Sequence, residues 1–128
     1  MNNYSENRKK TGGLRLKDSA SKSYYQKPLI SIITCVLNGE KYLEETILSI
    51  RNQIYKNYEY IVIDGDSSDS TLSIIKKNED IIDYWQSEKD KGLYFGFNKG
   101  LNFASGDLIV FVNSDDTLTP EALQIISD

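Results

Sequence analysis

Hydrophobic residues along this chain alternate between short unbroken runs and sparser repeats, which predicts alternating strands and helices. The unbroken runs are rich in β-branched and aromatic side chains and cover residues 29–37, 58–63, 81–86 and 108–112. Such runs are typical of strands buried on both faces of a mostly parallel sheet. Helical repeats separate them, so the pattern predicts an α/β fold with helices flanking a mostly parallel sheet.

The predicted helices follow the strands after polar junctions. Their apolar positions recur every three or four residues: Leu43, Ile47, Ile50 and Ile54; Leu72 and Ile75; Leu93, Phe97, Leu101 and Ala104. Asn38 is expected to cap the first helix, and Ser68 or Asp69 the second. Gly96 and Gly100 interrupt the third helix, which indicates close packing or close approach of a ligand. A last helix begins near Thr117, and only about two turns follow, so we expect an incomplete domain.

Charge divides the chain into two parts. Residues 1–27 carry seven basic and two acidic residues and no sustained apolar period, so we expect a flexible basic tail. This tail could make weak contact with an anionic membrane surface. Residues 28–128 form the predicted domain and are strongly acidic, which argues against a nucleic-acid partner.

Composition excludes several classes of site. No apolar run is long enough to cross a bilayer, and no signal segment opens the chain, so a cytoplasmic location is expected. The chain has no His, which excludes a histidine base or triad and the usual zinc sites. The single Cys35 lies in an apolar strand, where a buried thiol is expected.

The acidic stretch Asn113–Asp116 follows the last predicted strand directly. Asp115 and Asp116 are neighbours with no Lys or Arg close by in sequence. Ligands of open α/β sheets bind at strand ends, and carboxylates there suit Mg²⁺ or Mn²⁺ completed by phosphate oxygens. The alternative is a capped turn, because Asn, Ser and Asp all stabilise turns.

A second acidic stretch, residues 64–69, follows the strand at 58–63. One acid there is explained as a helix cap, but three are present: Asp64, Asp66 and Asp69. A carboxylate at this strand end could bind a base or ribose hydroxyl of a nucleotide. No GxGxxG follows the first strand, which argues against a dinucleotide dehydrogenase. Lys91 and Lys99 are the bases best placed to meet a phosphate, with surface solvation as the alternative.

These motifs together resemble the family two glycosyltransferases. The order is Asn38-Gly39, DGDSSDST at 64–71, DKGLY at 90–94, Asn98-Lys99-Gly100 and ASGDLIVFVNSDD at 104–116. The match runs from about Pro28 to Asp128 and is similar to bacterial members of colanic-acid and other polysaccharide synthesis. The resemblance implies a Rossmann-like, nucleotide-binding sheet of GT-A type, truncated after the donor-binding part. It also implies inverting, metal-assisted transfer from a nucleotide-sugar donor, with a UDP-sugar favoured, to a glycan or lipid-linked acceptor.

The resemblance also implies roles for individual positions. Nucleotide-binding residues would be Cys35, Leu37, Asn38, Asp64, Asp66, Lys91 and Asp115, and metal ligands Asp115 and Asp116. Three positions depart from the family pattern: Gly65 replaces an acid, Asn113 replaces the first acid of the DxD motif, and Phe95 replaces an Asp. The family's general base lies beyond the DxD motif, and no residue of this chain is assigned as catalytic.

These features suggest three functions. The first is the donor-binding part of a glycosyltransferase that acts at the inner face of the membrane or in the cytoplasm. The second is a remnant that at most binds nucleotide and metal. The third, a phosphoacceptor domain, needs an acidic pair after the first strand, where this chain has Leu37-Asn38-Gly39.

Overall fold

A single mixed sheet organises the part of the chain that the computed structural model describes, residues 10–14, 27–89 and 93–128. Its strands are β1 (Lys10–Gly12), β2 (Ile30–Val36), β3 (Tyr58–Asp64), β4 (Tyr84–Ser87) and β5 (Leu108–Phe111). They are arranged in the order β1-β4-β3-β2-β5. The last four run parallel, and β1 is antiparallel to β4. The predicted α/β fold with a mostly parallel sheet is therefore confirmed.

Helices cover both faces of this sheet. They are α1 (Leu43–Arg51), α2 (Thr71–Lys77), α3 (Leu93–Phe103) and α4 (Ala122–Ser127). Successive residues of β2 enter different core clusters: Ile32 packs in a cluster with side chains of α1, α2 and α4, and Ile33 in one with side chains of α3. Because strand side chains alternate between faces, the two clusters lie on opposite sides of the sheet. No helix among the described residues is long and apolar enough to span a bilayer.

Gly100 explains how closely α3 lies on the sheet. A Cβ at this position would be 2.5 Å from Cγ2 of Ile33 on β2, so a larger residue would push the helix away. The sequence left two explanations for the glycines of this helix, close packing and close approach of a ligand. At Gly100 the explanation is close packing. Cys35 is buried on the same face, as expected.

The predicted helix caps are wrong for α1 and inexact for α2. The residue before α1 is Tyr42, which forms no side-chain cap, and Asn38 lies outside the helix with a φ of 52°. The residue before α2 is Ser70, also without a side-chain cap, while Asp69 accepts a hydrogen bond from the Thr71 N–H at 2.9 Å. The side chains of Asn38 and Asp69 instead accept hydrogen bonds from backbone N–H groups of the neighbouring loop. Backbone groups in loops need such partners as those in helices and strands do.

The prediction that residues 1–27 form a flexible tail is wrong for residues 10–14, which bind to the sheet. Lys10, Thr11 and Gly12 pair with Ser87, Gln86 and Trp85 of β4. Gly13 has a φ of 109°, and the Leu14 N–H donates to the Ile82 carbonyl at 2.9 Å. This pairing satisfies the edge of β4 that the parallel strands leave open. Residues 1–9 and 15–26 lie outside the described residues.

Candidate functional site

An open cleft of about 520 Å³ lies where the carboxyl ends of β2 and β5 meet. It is lined by Cys35, Leu37, Asn38, Gly39, Lys41, Tyr42, Asn113, Ser114 and Asp115. One wall is therefore the loop between β2 and α1, and the other is the acidic loop after β5. Adjacent parallel strands bring these two loops together although they are about 75 residues apart in sequence.

The β2–α1 wall exposes apolar surface to the cleft. Leu37 is 63% exposed and Tyr42 is 45% exposed, although the strand before them is fully buried. Gly39 keeps the loop close to the strand, since a Cβ there would be 2.5 Å from Cγ2 of Val36. This wall offers a flat apolar ligand a place to pack.

Lys41 brings a positive charge to the same wall. Its Nζ lies 5.2 Å from the ring centroid of Tyr42, and it forms no ion pair within the part of the chain described here. An exposed ammonium beside an aromatic ring can meet an anionic group that enters the cleft. Sequence reasoning missed Lys41 and Tyr42, because a lysine and a tyrosine before a helix carry no motif.

The acidic wall is a tight turn. The Asp116 N–H donates to the Asn113 carbonyl at 3.1 Å, which folds the loop back on itself. Asp115 and Asp116 are both exposed, and within the described residues their carboxylates take part in no hydrogen bond or ion pair. The alternative of a capped turn does not use these carboxylates, because the turn closes through the backbone.

The donor set of this turn fits a divalent ion that a ligand helps to hold. No group of three or more His, Cys, Asp or Glu side chains lies together among the described residues. A closed protein cage for a metal is therefore not formed there. Mg²⁺ and Mn²⁺ bind through one or two carboxylates together with water and substrate phosphates, and Asp115 and Asp116 match that requirement.

Asp64 ends β3 beside the cleft but does not line it. Its side chain is buried, with the residue 1% exposed. Oδ2 accepts hydrogen bonds from the Ser67 N–H at 3.0 Å and the Ser87 hydroxyl at 2.7 Å, while Oδ1 accepts one from the Ser67 hydroxyl at 2.5 Å. In this conformation the carboxylate organises its own loop, and its role toward a nucleotide stays a prediction.

The remaining predicted residues are dispersed. Asp66 is exposed, has a φ of 70° and is not part of the cleft lining. Lys91 lies outside the described residues. Lys99 is engaged in an ion pair with Glu88, with 3.0 Å between Nζ and Oε1. The structure thus brings Cys35, Leu37, Asn38 and Asp115 into one cleft, places Asp116 next to it, and leaves Asp64 and Asp66 outside the lining.

Comparison with protein families identifies the chain independently of this geometry. The family model described as "Glycosyl transferase family 2" matches residues 31–127. An uncharacterized glycosyltransferase of Mycobacterium tuberculosis is 42% identical over 90 residues, which cover 70% of this chain and 34% of that protein. A Campylobacter jejuni protein named GalNAc(5)-diNAcBac-PP-undecaprenol beta-1,3-glucosyltransferase is 38% identical over 103 residues, covering 77% and 33%. The chain spans about a third of the length of these curated relatives.

Solved structures with the same fold include proteins bound to nucleotide sugars. The S. aureus TarS 1-349 fragment in complex with UDP-GlcNAc is similar with a TM-score of 0.69 and 29% identity, covering 76% of this chain and 29% of that one. The mannosyltransferase PcManGT from Pyrobaculum calidifontis, in complex with GDP-Man and Mn²⁺, has a TM-score of 0.71 at 24% identity and covers 80% and 31%. These similarities confirm the GT-A type of the sheet.

Proposed function

This chain belongs to glycosyl transferase family 2, and we propose that its cleft binds the nucleoside-diphosphate part of a sugar donor. The observation that carries the proposal is that Asp115, whose carboxylate forms no hydrogen bond or ion pair with the described residues, lines the same cleft as Leu37 and Tyr42. An apolar wall suits a nucleobase, and a carboxylate that holds a metal suits a diphosphate. A UDP-sugar is the favoured donor, since the structurally similar TarS fragment was solved with UDP-GlcNAc.

In the proposed reaction, the bond between the sugar's anomeric carbon and the diphosphate breaks, and a bond to an acceptor oxygen forms with inversion. Bound Mg²⁺ or Mn²⁺ would offset the negative charge that the leaving nucleoside diphosphate gains. Asp115 and Asp116 would hold that ion, and Lys41 would stabilise the diphosphate from the opposite wall. The acceptor hydroxyl must also lose a proton to a base, and no described residue is assigned that role.

The acceptor and the setting are part of the same proposal. The Campylobacter jejuni relative is named for transfer to an undecaprenol-linked glycan. By analogy, we propose a glycan or lipid-linked acceptor in cell-surface polysaccharide synthesis. Transfer would take place in the cytoplasm at the inner face of the membrane, where the basic residues 1–27 favour contact with anionic lipid. The activity is proposed for the whole protein, because this chain spans only a third of its relatives.

Calorimetric titration of the chain with UDP, GDP and dTDP, each with and without Mn²⁺, tests the donor site. We expect one nucleotide to bind, and its binding to require the metal. The double variant Asp115→Asn, Asp116→Asn should abolish the metal-dependent binding, because the amides keep the shape of the turn but not its charge.

Glu45→Gln with Glu121→Gln is the matched control, since it removes two exposed carboxylates elsewhere on the surface. Circular dichroism checks that each variant keeps its fold. Equal affinity of wild type and the Asp115, Asp116 variant would exclude these residues as metal ligands. A folded wild-type chain that binds none of the three nucleotides would favour a remnant without a donor site.

A further inference from the structure

Three consecutive backbone N–H groups of the β2–α1 loop are held by side chains of the loop between β3 and α2 and of the first residue of α2, Thr71. The pairs are Asn38 N–H with Ser67 Oγ at 2.7 Å, Gly39 N–H with Thr71 Oγ1 at 2.8 Å, and Glu40 N–H with Asp69 Oδ2 at 3.2 Å. Successive N–H groups next to a residue with positive φ often bind an anion. Here protein oxygens already occupy them, so these amides are not the phosphate site.

Two carboxylates set the direction of these bonds. Asp64 Oδ1 lies 2.5 Å from Ser67 Oγ, and Asp69 Oδ1 lies 2.5 Å from Thr71 Oγ1. An ionised carboxylate can only accept, so each hydroxyl proton points to its carboxylate, and the hydroxyl oxygen is left to accept from an amide. Desolvation raises the pKa of Asp69, but the hydrogen bonds that its carboxylate accepts from the Thr71 hydroxyl and from backbone N–H groups together outweigh it, and the pKa lies below its ordinary value.

The β2–α1 loop also binds back to the β3–α2 loop. Asn38 Oδ1 accepts a hydrogen bond from the Ser68 N–H at 2.8 Å, and Glu40 Oε2 accepts one from the Ser70 N–H at 3.0 Å. Asn38 is thereby held at a φ of 52°, a region that residues other than glycine adopt infrequently. The wall of the cleft therefore has its backbone fixed by the loop behind it.

We propose that Ser67 and Thr71 are positioning residues, which fix the β2–α1 wall of the cleft and so set its affinity for the donor without touching it. Asp64 and Asp69 orient the two hydroxyls. This accounts for two of the three acids in the stretch at 64–69, which a helix cap alone left unexplained. The consequence for donor binding rests on the proposed function, while the consequence for the loop does not.

Two variants remove one hydroxyl each. Thr71 is fully buried, so Thr71→Val is chosen because it deletes the hydroxyl and keeps the volume; Ser67→Ala deletes the hydroxyl of the partly buried serine. Thr71→Ser restores a hydroxyl at the same position. Ser70→Ala is the matched control, because the Ser70 side chain makes no hydrogen bond among the described residues and its N–H is kept.

Two measurements separate the loop from the ligand. The first is hydrogen exchange of the Asn38 and Gly39 amides by NMR without nucleotide, and the second is calorimetric affinity for UDP with Mn²⁺. We expect faster exchange at Asn38 in Ser67→Ala and at Gly39 in Thr71→Val, and affinity about tenfold weaker in each, as for loss of one hydrogen bond. Thr71→Ser and Ser70→Ala should behave as wild type in both measurements.

Each outcome decides a separate claim. Unchanged amide exchange in both hydroxyl-deleted variants would show that the hydroxyls do not hold the loop, and the inference would be wrong. Faster exchange with unchanged UDP affinity would also overturn it, since the loop would move without consequence for the site. A folded wild type that binds no UDP, GDP or dTDP would remove the proposed function, and amide exchange would still decide whether the two hydroxyls fix the loop.

Discussion

Thr46 connects the acidic turn to the rest of the molecule through one hydroxyl. Its Oγ1 lies 2.6 Å from the Asp116 carbonyl oxygen and 3.0 Å from that of Ser114, and the residue is fully buried on α1. Because a hydroxyl has one proton, it donates mainly to the nearer carbonyl and places the backbone of Asp116. The carboxylates that we assign to the metal therefore depend on a residue that cannot bind it.

Thr46→Val should weaken this connection at nearly constant volume. We expect the free energy of unfolding to fall by about 1–2 kcal/mol, because the partly buried Asp116 carbonyl loses its donor and the valine side chain offers no compensating bond, and Mn²⁺-dependent nucleotide affinity to fall with it. Urea unfolding and calorimetry measure the two effects. Thr46→Ser keeps the hydroxyl and should match wild type in affinity; an affinity loss in Thr46→Ser as large as in Thr46→Val would mean that the methyl group matters instead.

The proposed contact between Lys41 and the diphosphate can be tested by comparing ligands with and without phosphate groups. Lys41→Met should weaken binding of UDP with Mn²⁺ by about fivefold, the effect of losing one exposed charge pair, and leave uridine binding unchanged. Calorimetry at two salt concentrations checks this, since the difference should shrink at high salt. Lys76→Met, at an exposed position of α2, is the control for charge, and an equal loss there would contradict a local role for Lys41.

At the scale of elements, α1 carries a polar stripe that holds the segment after β5. The Ser49 hydroxyl accepts a hydrogen bond from the Leu118 N–H at 3.1 Å. Gln53, which is fully buried, accepts one from the Leu123 N–H at 3.1 Å and donates to the Thr119 carbonyl at 2.7 Å. One face of α1 therefore packs on the sheet, and polar side chains of α1 together with Gln53, two residues after its end, bind backbone groups of residues 114–123.

The apolar stripe of α1 could be predicted from sequence, and the polar stripe could not. Ile47 and Ile50 recur at helical spacing and are fully buried, as expected. Thr46 and Gln53 are buried too, but buried and exposed polar residues look alike in a sequence. Their partners are backbone groups about 70 residues away, which periodicity cannot indicate.

Strand β3 makes stability sensitive to alkaline pH. Burial raises the pKa of Tyr58 to about 12, with the carboxylate of Asp83 adding to the effect, and burial raises that of Tyr60 further. Because the folded-state pKa lies above the ordinary value near 10, the neutral phenol is favoured on folding. Stability is therefore fully present below about pH 10 and falls as pH rises toward 12.

Tyr58→Phe should reduce this loss. Above pH 10, the free energy of unfolding should decline less steeply than in wild type, by up to about 1.4 kcal/mol per pH unit for the one group removed. At neutral pH the variant should be less stable by about 1 kcal/mol, because the hydroxyl donates to the Ile50 carbonyl at 3.2 Å. Urea unfolding from pH 8 to 11 measures both, and parallel curves above pH 10 would contradict the assignment to Tyr58.

For the whole molecule, the sequence predicted the parallel part of the sheet and the cleft between strand ends, but not the antiparallel edge strand β1. Apolar runs identify β2 to β5, and strand-end chemistry follows from fold class. The prediction that these strands are buried on both faces is wrong for β5, where Ile109 and Phe111 are 42% and 46% exposed. For Asp64 the sequence indicated a ligand site, and the structure shows a carboxylate engaged with Ser67 and Ser87. The short polar strand β1 pairs with β4 more than 70 residues away, and its sequence gives no signal for that pairing.

Trp85 reports whether β1 closes the sheet, because it is the only tryptophan of the chain. It is 3% exposed and pairs with Gly12, where a Cβ would be 2.4 Å from the indole Nε1. Gly12→Ala must therefore displace either β1 or the indole, which donates to Glu79 Oε2 at 2.8 Å. We expect a red-shifted emission, stronger quenching by acrylamide, and a free energy of unfolding lower by about 1–3 kcal/mol. Thr11→Ala, at the exposed neighbouring position, should leave emission and quenching unchanged, and wild-type fluorescence in Gly12→Ala would show that β1 does not cover Trp85.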